Sequence, residues 1–455
     1  MTCVFSFKTL ARCFLATLLC VLLGNAPVLA NPGEPPTPQA DHAYTLMQLT
    51  DMALSNNPQT QLAWAEIRSS QAGVELARAG YWPLITANYN ITRSRTVNFS
   101  GASNNAQTRY SPSISLSYLL WDFGSRSGNL DAAKFALTAA ELSNSQTIQD
   151  VILSVEQDYY QVLGLQSLVL ADAASVKDSE TSLDAARQNQ KAGLATVGDV
   201  YLAEAALAGA QLSLQQSQGQ LAVARGGLAV AVGFSVDTRL ELAPWNRKIN
   251  AQMPSANISA LLAQARTARP ELLASKASEQ KAIATLEATQ GTGLPSLTLD
   301  ASAGQTRTVS GGVSQMADNY SAGLNLSIPL FAGFGDQAAS RQARAAVDIS
   351  QQTTAELVQS VELEVWQAYQ NLYTAKVSLA TTDAQLKSAQ QAQDVAMARY
   401  HIGLDPILTL LAAQSTLAGA RAQQVQARLN WFTGQAALGH AVGGLNAPTD
   451  ITESP

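Results

Sequence analysis

Apolar residues recur every seven positions through much of this chain. Ile148, Val155, Val162, Val169, Val176 and Leu183 form one series, and Val200, Leu207, Leu214, Leu221 and Leu228 form another after a break at Gly193. Val358, Val365, Leu372, Leu379 and Leu386 form a third, and Leu410, Leu417, Trp431 and Leu438 a fourth that Gln424 interrupts. A sustained seven-residue repeat keeps one stripe of a helix on its partner and imposes left-handed coiled-coil packing. At a rise of 1.5 Å per residue, a helix from Gly124 to about Lys191 is roughly 100 Å long, more than a compact globule needs. Taken alone, the heptads suit a fibrous or bundle protein.

Four short runs follow a period of two instead. Ile85, Ala87, Tyr89 and Ile91 alternate with Thr86, Asn88, Asn90 and Thr92. The segments 113–118, 297–302 and 324–328 alternate in the same way. Such a pattern suits a half-buried antiparallel sheet, and three details point to an outer-membrane barrel. The polar face is Ser, Thr and Asn with one acid, Asp300, as a wet lumen requires. The runs are near the ~10 residues that cross a bilayer at a tilt. Aromatic residues bracket them as an interfacial girdle would: Tyr81, Trp82, Trp121, Phe123 and Phe331 toward the helices, Tyr110 and Tyr320 toward the loops. Four strands cannot close a barrel, since small barrels need about eight, and an open sheet edge is not tolerated in lipid. The chain must therefore oligomerise; two copies give eight strands, three give twelve, and a barrel continuing into long helices favours the wider solution.

The plan is written twice. Residues 151–233 align without a gap on 361–443, so that Val151, Val155, Gln157 and Tyr159 recur as Val361, Val365, Gln367 and Tyr369. Upstream, Leu49, Pro58, Ala65, Glu75 and Pro83 match Leu261, Pro270, Ala277, Glu287 and Pro295 at an offset of 212 in place of 210. The difference is expected in loops at 93–109 and 305–319. The expected organisation is a first repeat over 44–233 (hairpin 83–119, helical hairpin 124–233), a connection at 234–254, and a second repeat over 255–443 (hairpin 295–330, helical hairpin 335–443). A flexible linker at 31–43 and a tail at 444–455 flank them. In each repeat the short helix, 58–80 or 270–290, is expected to stack end to end on the second long helix.

Composition narrows the function. The chain has 455 residues, of which 47% are hydrophobic and 14% charged, with a formal net charge of −6; it is neither disordered nor a nucleic-acid binder. Lys8 and Arg12, an apolar run over 14–23 and the small-residue site before Ala30 read as a signal peptide cleaved after Ala30. Cleavage removes all three Cys and takes the net charge from −6 to −8. Leu19 beside Cys20 is too large for a lipid-anchor site, so lipidation is not expected. His42, His401 and His440 are isolated, and no metal site or cofactor is expected. Gly333-Phe334-Gly335-Asp336-Gln337-Ala338 matches a dinucleotide fingerprint, but the strand before it alternates and the helix after it exceeds sixty residues, so it reads as a strand-to-helix corner. No catalytic pairing is evident, and no enzyme is expected.

The ordered set of motifs, occurring twice, resembles the TolC-type outer-membrane efflux channels. It comprises Asn57-Pro58, the corners Trp121-Asp122-Phe123-Gly124 and Phe331-Ala332-Gly333-Phe334-Gly335, and the helix tips at Gly193 and Gly403. The resemblance implies an α+β membrane protein: a homotrimer with a twelve-stranded barrel in outer-membrane lipid, four strands per chain, continuing into a coiled-coil helical tunnel in the periplasm. It implies a passive exit duct of a tripartite efflux or type I secretion system, with an inner-membrane pump and a periplasmic adaptor as partners. Adaptor docking is expected at Ala192, Gly193, Leu194, Thr196, Ile402, Gly403 and Leu404. Asp199, Tyr400 and Asp405 are the gate candidates, with the Tyr400 hydroxyl expected to donate to the Asp199 carboxylate. The alternative is a periplasmic coiled-coil adaptor or fibrous envelope protein, which would carry one helical hairpin and an inner-membrane anchor where this chain has two hairpins and no apolar span.

Overall fold

The computed structural model describes residues 43–95, 106–243, 251–254 and 257–444. The expected signal peptide, the linker up to residue 42, His42 and the tail from residue 445 lie outside them, as do parts of the first hairpin loop and of the 234–254 connection.

The first repeat runs β1 (Ala43–Tyr44), α1 (Leu46–Asn56), α2 (Pro58–Ala79), β2 (Leu84–Ser94), β3 (Gln107–Trp121), α3 (Ser125–Lys191) and α4 (Val197–Val232). β4 (Glu241–Leu242) returns to pair with β1 in parallel. The second repeat runs α5 (Ile258–Ala268), α6 (Pro270–Thr292), β5 (Ser296–Ser310), β6 (Val313–Ser327), α7 (Gly335–His401) and α8 (Ile407–Ala441). α3 and α7 are 67 residues each.

Sequence period dictates both layers. The strands form one antiparallel sheet in the order β2-β3-β5-β6, so that the β3–β5 pairing joins the repeats. Register sets Thr86, Ser115, Ser302 and Ser321 in one row, with hydroxyls 2.6 Å apart at Thr86–Ser115 and 2.9 Å apart at Ser302–Ser321. The neighbouring row, Ile85, Leu116, Ala301 and Ala322, presents the apolar face. Among the described residues β2 and β6 each keep one edge unpaired, and every residue on them is exposed. In the helices, every heptad residue named above is buried or half-buried. Val155, Val162 and Leu228 close the core of the first repeat with Tyr44 and Leu242; Val365, Leu372, Trp431 and Leu438 close that of the second.

One expected loop is a strand. β5 and β6 run on through most of 305–319 to a two-residue turn at Gly311-Gly312, whose φ values of 55° and 84° require glycine-like freedom. Past Gly304 polar and apolar residues mix on both faces, so no alternation marks the strands there. Tyr110 and Tyr320 accordingly stand inside strands, opposite Arg307 and Ala303, and not at loop edges.

The short helices do stack on the long ones. α4 ends at Gly233, whose left-handed backbone lies so close to the start of α2 that a Cβ would sit 2.7 Å from the Asn56 carbonyl carbon. α8 ends at Gly443, where a Cβ would sit 2.9 Å from the Ala268 carbonyl carbon. Pro58 and Pro270 open the helices beyond, where a missing N–H costs nothing.

Candidate functional site: tips, corners and joints

Both helix tips close in the same way. After Ala192 the Gly193 φ of 77° turns the chain back and the Leu194 N–H donates to the Asn189 carbonyl at 2.8 Å. After Ile402 the Gly403 φ is 74° and the Leu404 N–H donates to the Arg399 carbonyl at 2.9 Å. This arrangement satisfies carbonyls that a helix end would leave orphaned. It also turns the flanking apolar side chains outward: Leu194 and Leu404 are each 64% exposed and Ile402 68%. The tips adjoin, since a Cβ on Gly403 would lie 3.8 Å from Leu194 Cδ1. Thr196 caps α4 together with Asp199: the Thr196 N–H donates to Asp199 Oδ2 at 2.7 Å, and the Asp199 N–H to the Thr196 hydroxyl at 3.3 Å.

That capping box corrects the expected Tyr400–Asp199 bond. The Asp199 carboxylate is turned into its own helix start, and the buried Tyr400 hydroxyl has no hydrogen-bond partner among the described residues. Tyr400 is a core residue, packed with Leu183, Ala186, Ala203, Ile407 and Leu410. Burial, and then the negative charge of Asp199, push its pKa up. Asp405 is held by Arg399 through a two-pronged pair at 2.7 and 3.0 Å, which lowers the pKa of its carboxyl.

Other residues bridge the two hairpins here. Asn189 Nδ2 donates to the Tyr400 carbonyl at 2.9 Å, Gln414 Nε2 to the Ser182 hydroxyl and to the Asp178 carbonyl, and Arg421 pairs with Asp178 at 2.8 Å. The sequence reading missed them. Ser175, Ser182 and Asn189 on α3, like Gln414 and Arg421 on α8, are spaced by seven. A second, polar heptad stripe beside the apolar one is the signal that could have found them.

At the helix end of the sheet, Trp121 meets Phe123 edge-on at 5.9 Å and Phe331 meets Phe334 at 5.4 Å. Tyr81, Trp82, Trp121, Phe123 and Phe331 are exposed. Both corners use two successive left-handed residues, Phe123-Gly124 and Gly333-Phe334, to swing from strand into helix.

The stacked-helix joints differ in chemistry. At the first, Asn57 accepts from the Gln59 N–H at 2.8 Å and donates to the Ala231 carbonyl at 2.8 Å, serving two helix ends with one amide. At the second, buried Arg269 donates to the His440 carbonyl at 3.0 Å and pairs with Glu271 and Glu364. The His440 ring lies 3.2 Å from Glu364 and 2.8 Å from Asp150 on α3. Burial pulls the His440 pKa down, but the bonds to Asp150 and Glu364 outweigh it and lift it to about 9. The bond from His440 lowers that of Glu364.

Comparison with known proteins decides what this architecture is. The model of the outer membrane efflux protein family matches residues 49–234 and again 261–444. The chain belongs to that family. The two matched segments coincide with the internal duplication. Protein CyaE of Bordetella pertussis is 30% identical over 436 residues, 94% of this chain and 90% of its own length. The outer membrane efflux protein BepC of Brucella suis is 27% identical over 435 residues, covering 94% and 91%. Among solved structures, the outer-membrane channel OprN superposes with a TM-score of 0.79 at 22% identity, over 91% of this chain and 95% of that one. This outer membrane efflux protein carries a pair of helical hairpins on a shared sheet, and the adaptor or fibrous alternative is set aside. Among the described residues, no helix is long and apolar enough to cross a membrane.

Proposed function

We propose that three copies of this chain form the exit duct of a tripartite efflux or type I secretion system, conducting cargo passively and without catalysis. The observation that carries the reading is the four-stranded sheet with two open edges, continuing into 67-residue helices. Unpaired backbone groups are not tolerated in hydrocarbon, so β6 of one copy must pair with β2 of the next. Four antiparallel strands leave β2 and β6 running in opposite senses, so that closing pair is antiparallel as well. The sheet then spans the outer membrane with its exposed aromatic residues at the helix end, and the helices extend into the periplasm after cleavage following Ala30. Light scattering on the detergent-solubilised protein tests this reading: a trimer is expected, and a stable monomer or dimer overturns it.

An adaptor carrying an inner-membrane pump docks on Ala192, Gly193, Leu194, Thr196, Ile402, Gly403 and Leu404, whose exposed apolar side chains suit a protein partner. Leu194→Glu with Leu404→Glu should abolish export while leaving the trimer intact; normal export would refute docking there. The closed tip is held by the seam of Asn189, Ser182 and Asp178 against Tyr400, Gln414 and Arg421, bordered by Asp199 and Asp405. The resemblance also sets Thr409 and Ala412 where related gates have acidic rings, so weak cation selectivity is expected. In planar bilayers Asn189→Ala should raise conductance more than Tyr400→Phe, which removes a hydroxyl without a partner; equal effects would sink this assignment.

A further inference from the structure

The first strand-to-helix corner holds a pocket whose lining the second repeat does not reproduce. Arg78, Tyr81, Trp82, Pro83, Tyr118 and Leu130 line an open cavity of about 590 Å³. That is within the ~300–1,000 Å³ of small-ligand sites. Ile85 pairs with Leu116 on the apolar face of the sheet, so Pro83 and Tyr118, two residues further along each strand, continue the same face toward the helices.

The wall of the pocket is fixed by a different arginine. Arg126 donates to the carbonyls of Gly80 at 3.2 Å, Leu119 at 2.7 Å and Leu120 at 3.3 Å, and pairs with Asp122 at 3.2 Å. Its guanidinium also lies 4.8 Å from the centre of the Tyr81 ring. Arg126 is thus occupied in holding the corner. Arg78 lines the pocket and forms no ion pair among the described residues. At the offset of 212, the second repeat has Gln290, Gly293 and Leu294 where the first has Arg78, Tyr81 and Trp82. At these three positions the second repeat therefore has neither a cation nor an aromatic residue, and the fold does not require them there.

An unpaired guanidinium between interfacial Tyr and Trp, above an apolar floor, matches a phosphodiester over an acyl chain. We propose that this pocket binds the headgroup of a phospholipid in the leaflet nearest the helices. Arg78 takes the phosphate, and Trp82, Tyr118 and Leu130 border the first acyl carbons. The site rests on the reading that the sheet spans the outer membrane. It occurs once per chain and anchors the barrel at one fixed depth and rotation relative to that leaflet.

The test uses the full mature protein reconstituted in bilayers of phosphatidylethanolamine and phosphatidylglycerol, extracted in mild detergent and weighed by native mass spectrometry. One retained phosphatidylglycerol per chain is expected. Arg78→Gln and Trp82→Leu, which copy the second repeat, should each weaken retention, Arg78→Gln by about tenfold for one lost charge-assisted contact. Arg78→Lys should keep most of it. Unchanged occupancy in Arg78→Gln overturns the site, as does displacement of the lipid by inorganic phosphate or a co-purified polypeptide occupying the corner in its place. Insertion with unchanged lipid occupancy counts against the pocket alone, whereas a native protein that fails to insert overturns the membrane reading along with it.

Discussion

At the first helix joint a single neutral amide, Asn57, serves two helix ends. At the second, the same place is held by a buried guanidinium, two glutamates and a doubly bonded histidine. The backbone is alike in both: a left-handed glycine ends one helix and a proline opens the next. Geometry therefore demands only a donor for the orphaned carbonyl, and either an amide or a guanidinium supplies it. The difference lies in what each choice brings along. The repeat offsets align Gln59, Ser154 and Val230 with Glu271, Glu364 and His440. A buried Arg269 needs the two acids, and His440 has an acid on each side of its ring, one of them Asp150 in the first repeat. The charged joint thus clamps α3 to α7 and α8, a connection the neutral joint does not make.

The comparison breaks most sharply at Arg269. Arg269→Ala leaves the largely buried Glu271 uncompensated and Glu364 with His440 alone, and should cost about 3 kcal/mol, read from thermal unfolding of the helical circular dichroism. A loss no greater than that of Asn57→Ala would mean that the charges do not hold the joint. Next comes pH. The His440 pKa is raised from 6.5 to about 9, so its stabilisation is complete below pH 6.5 and lost as pH rises toward 9. The full loss amounts to up to about 3 kcal/mol. The unfolding midpoint should fall across that window in the native protein and stay flat in His440→Gln; parallel curves would refute the clamp. Asn57→Ala removes two neutral bonds and should cost about 1–2 kcal/mol with no dependence on pH. Smallest of all is the transplant of the first joint into the second, Arg269→Asn with Glu271→Gln, Glu364→Ser and His440→Val. Removing the buried ionic set leaves only Asp150 without its partner, and that carboxylate is exposed to water, so the net change should stay within about 1 kcal/mol. A large loss in this variant would show that the two joints are not interchangeable.

By itself, the sequence determined whatever is written in short periods. Heptads such as Val155-Val162 and Val365-Leu372 declare long paired helices, alternation from Ile85 to Thr92 declares a two-faced strand, and the recurrence of both declares the duplication. Gly193 and Gly403 mark the reversals because few other residues take a positive φ without strain. These signals are local, set by the pitch of a helix and the pleat of a strand. Only the tertiary structure decided which polar groups meet. Asn189 and the Tyr400 carbonyl are 211 residues apart, and His440 and Asp150 are 290 apart. Tyr400 stands beside a tip in the sequence and is core in the structure, because four helices converge on it there. Asp199 lies near Tyr400 and bonds its own N-terminus instead, where a capping bond forms without the entropy cost of ordering a distant group. The pocket at Arg78 is equally hidden in the sequence, since Tyr118 joins Trp82 only when β2 and β3 fall into register. Periodicity carries the form of each element; the partner of a polar side chain depends on how those elements are brought together, which no short window of the chain contains.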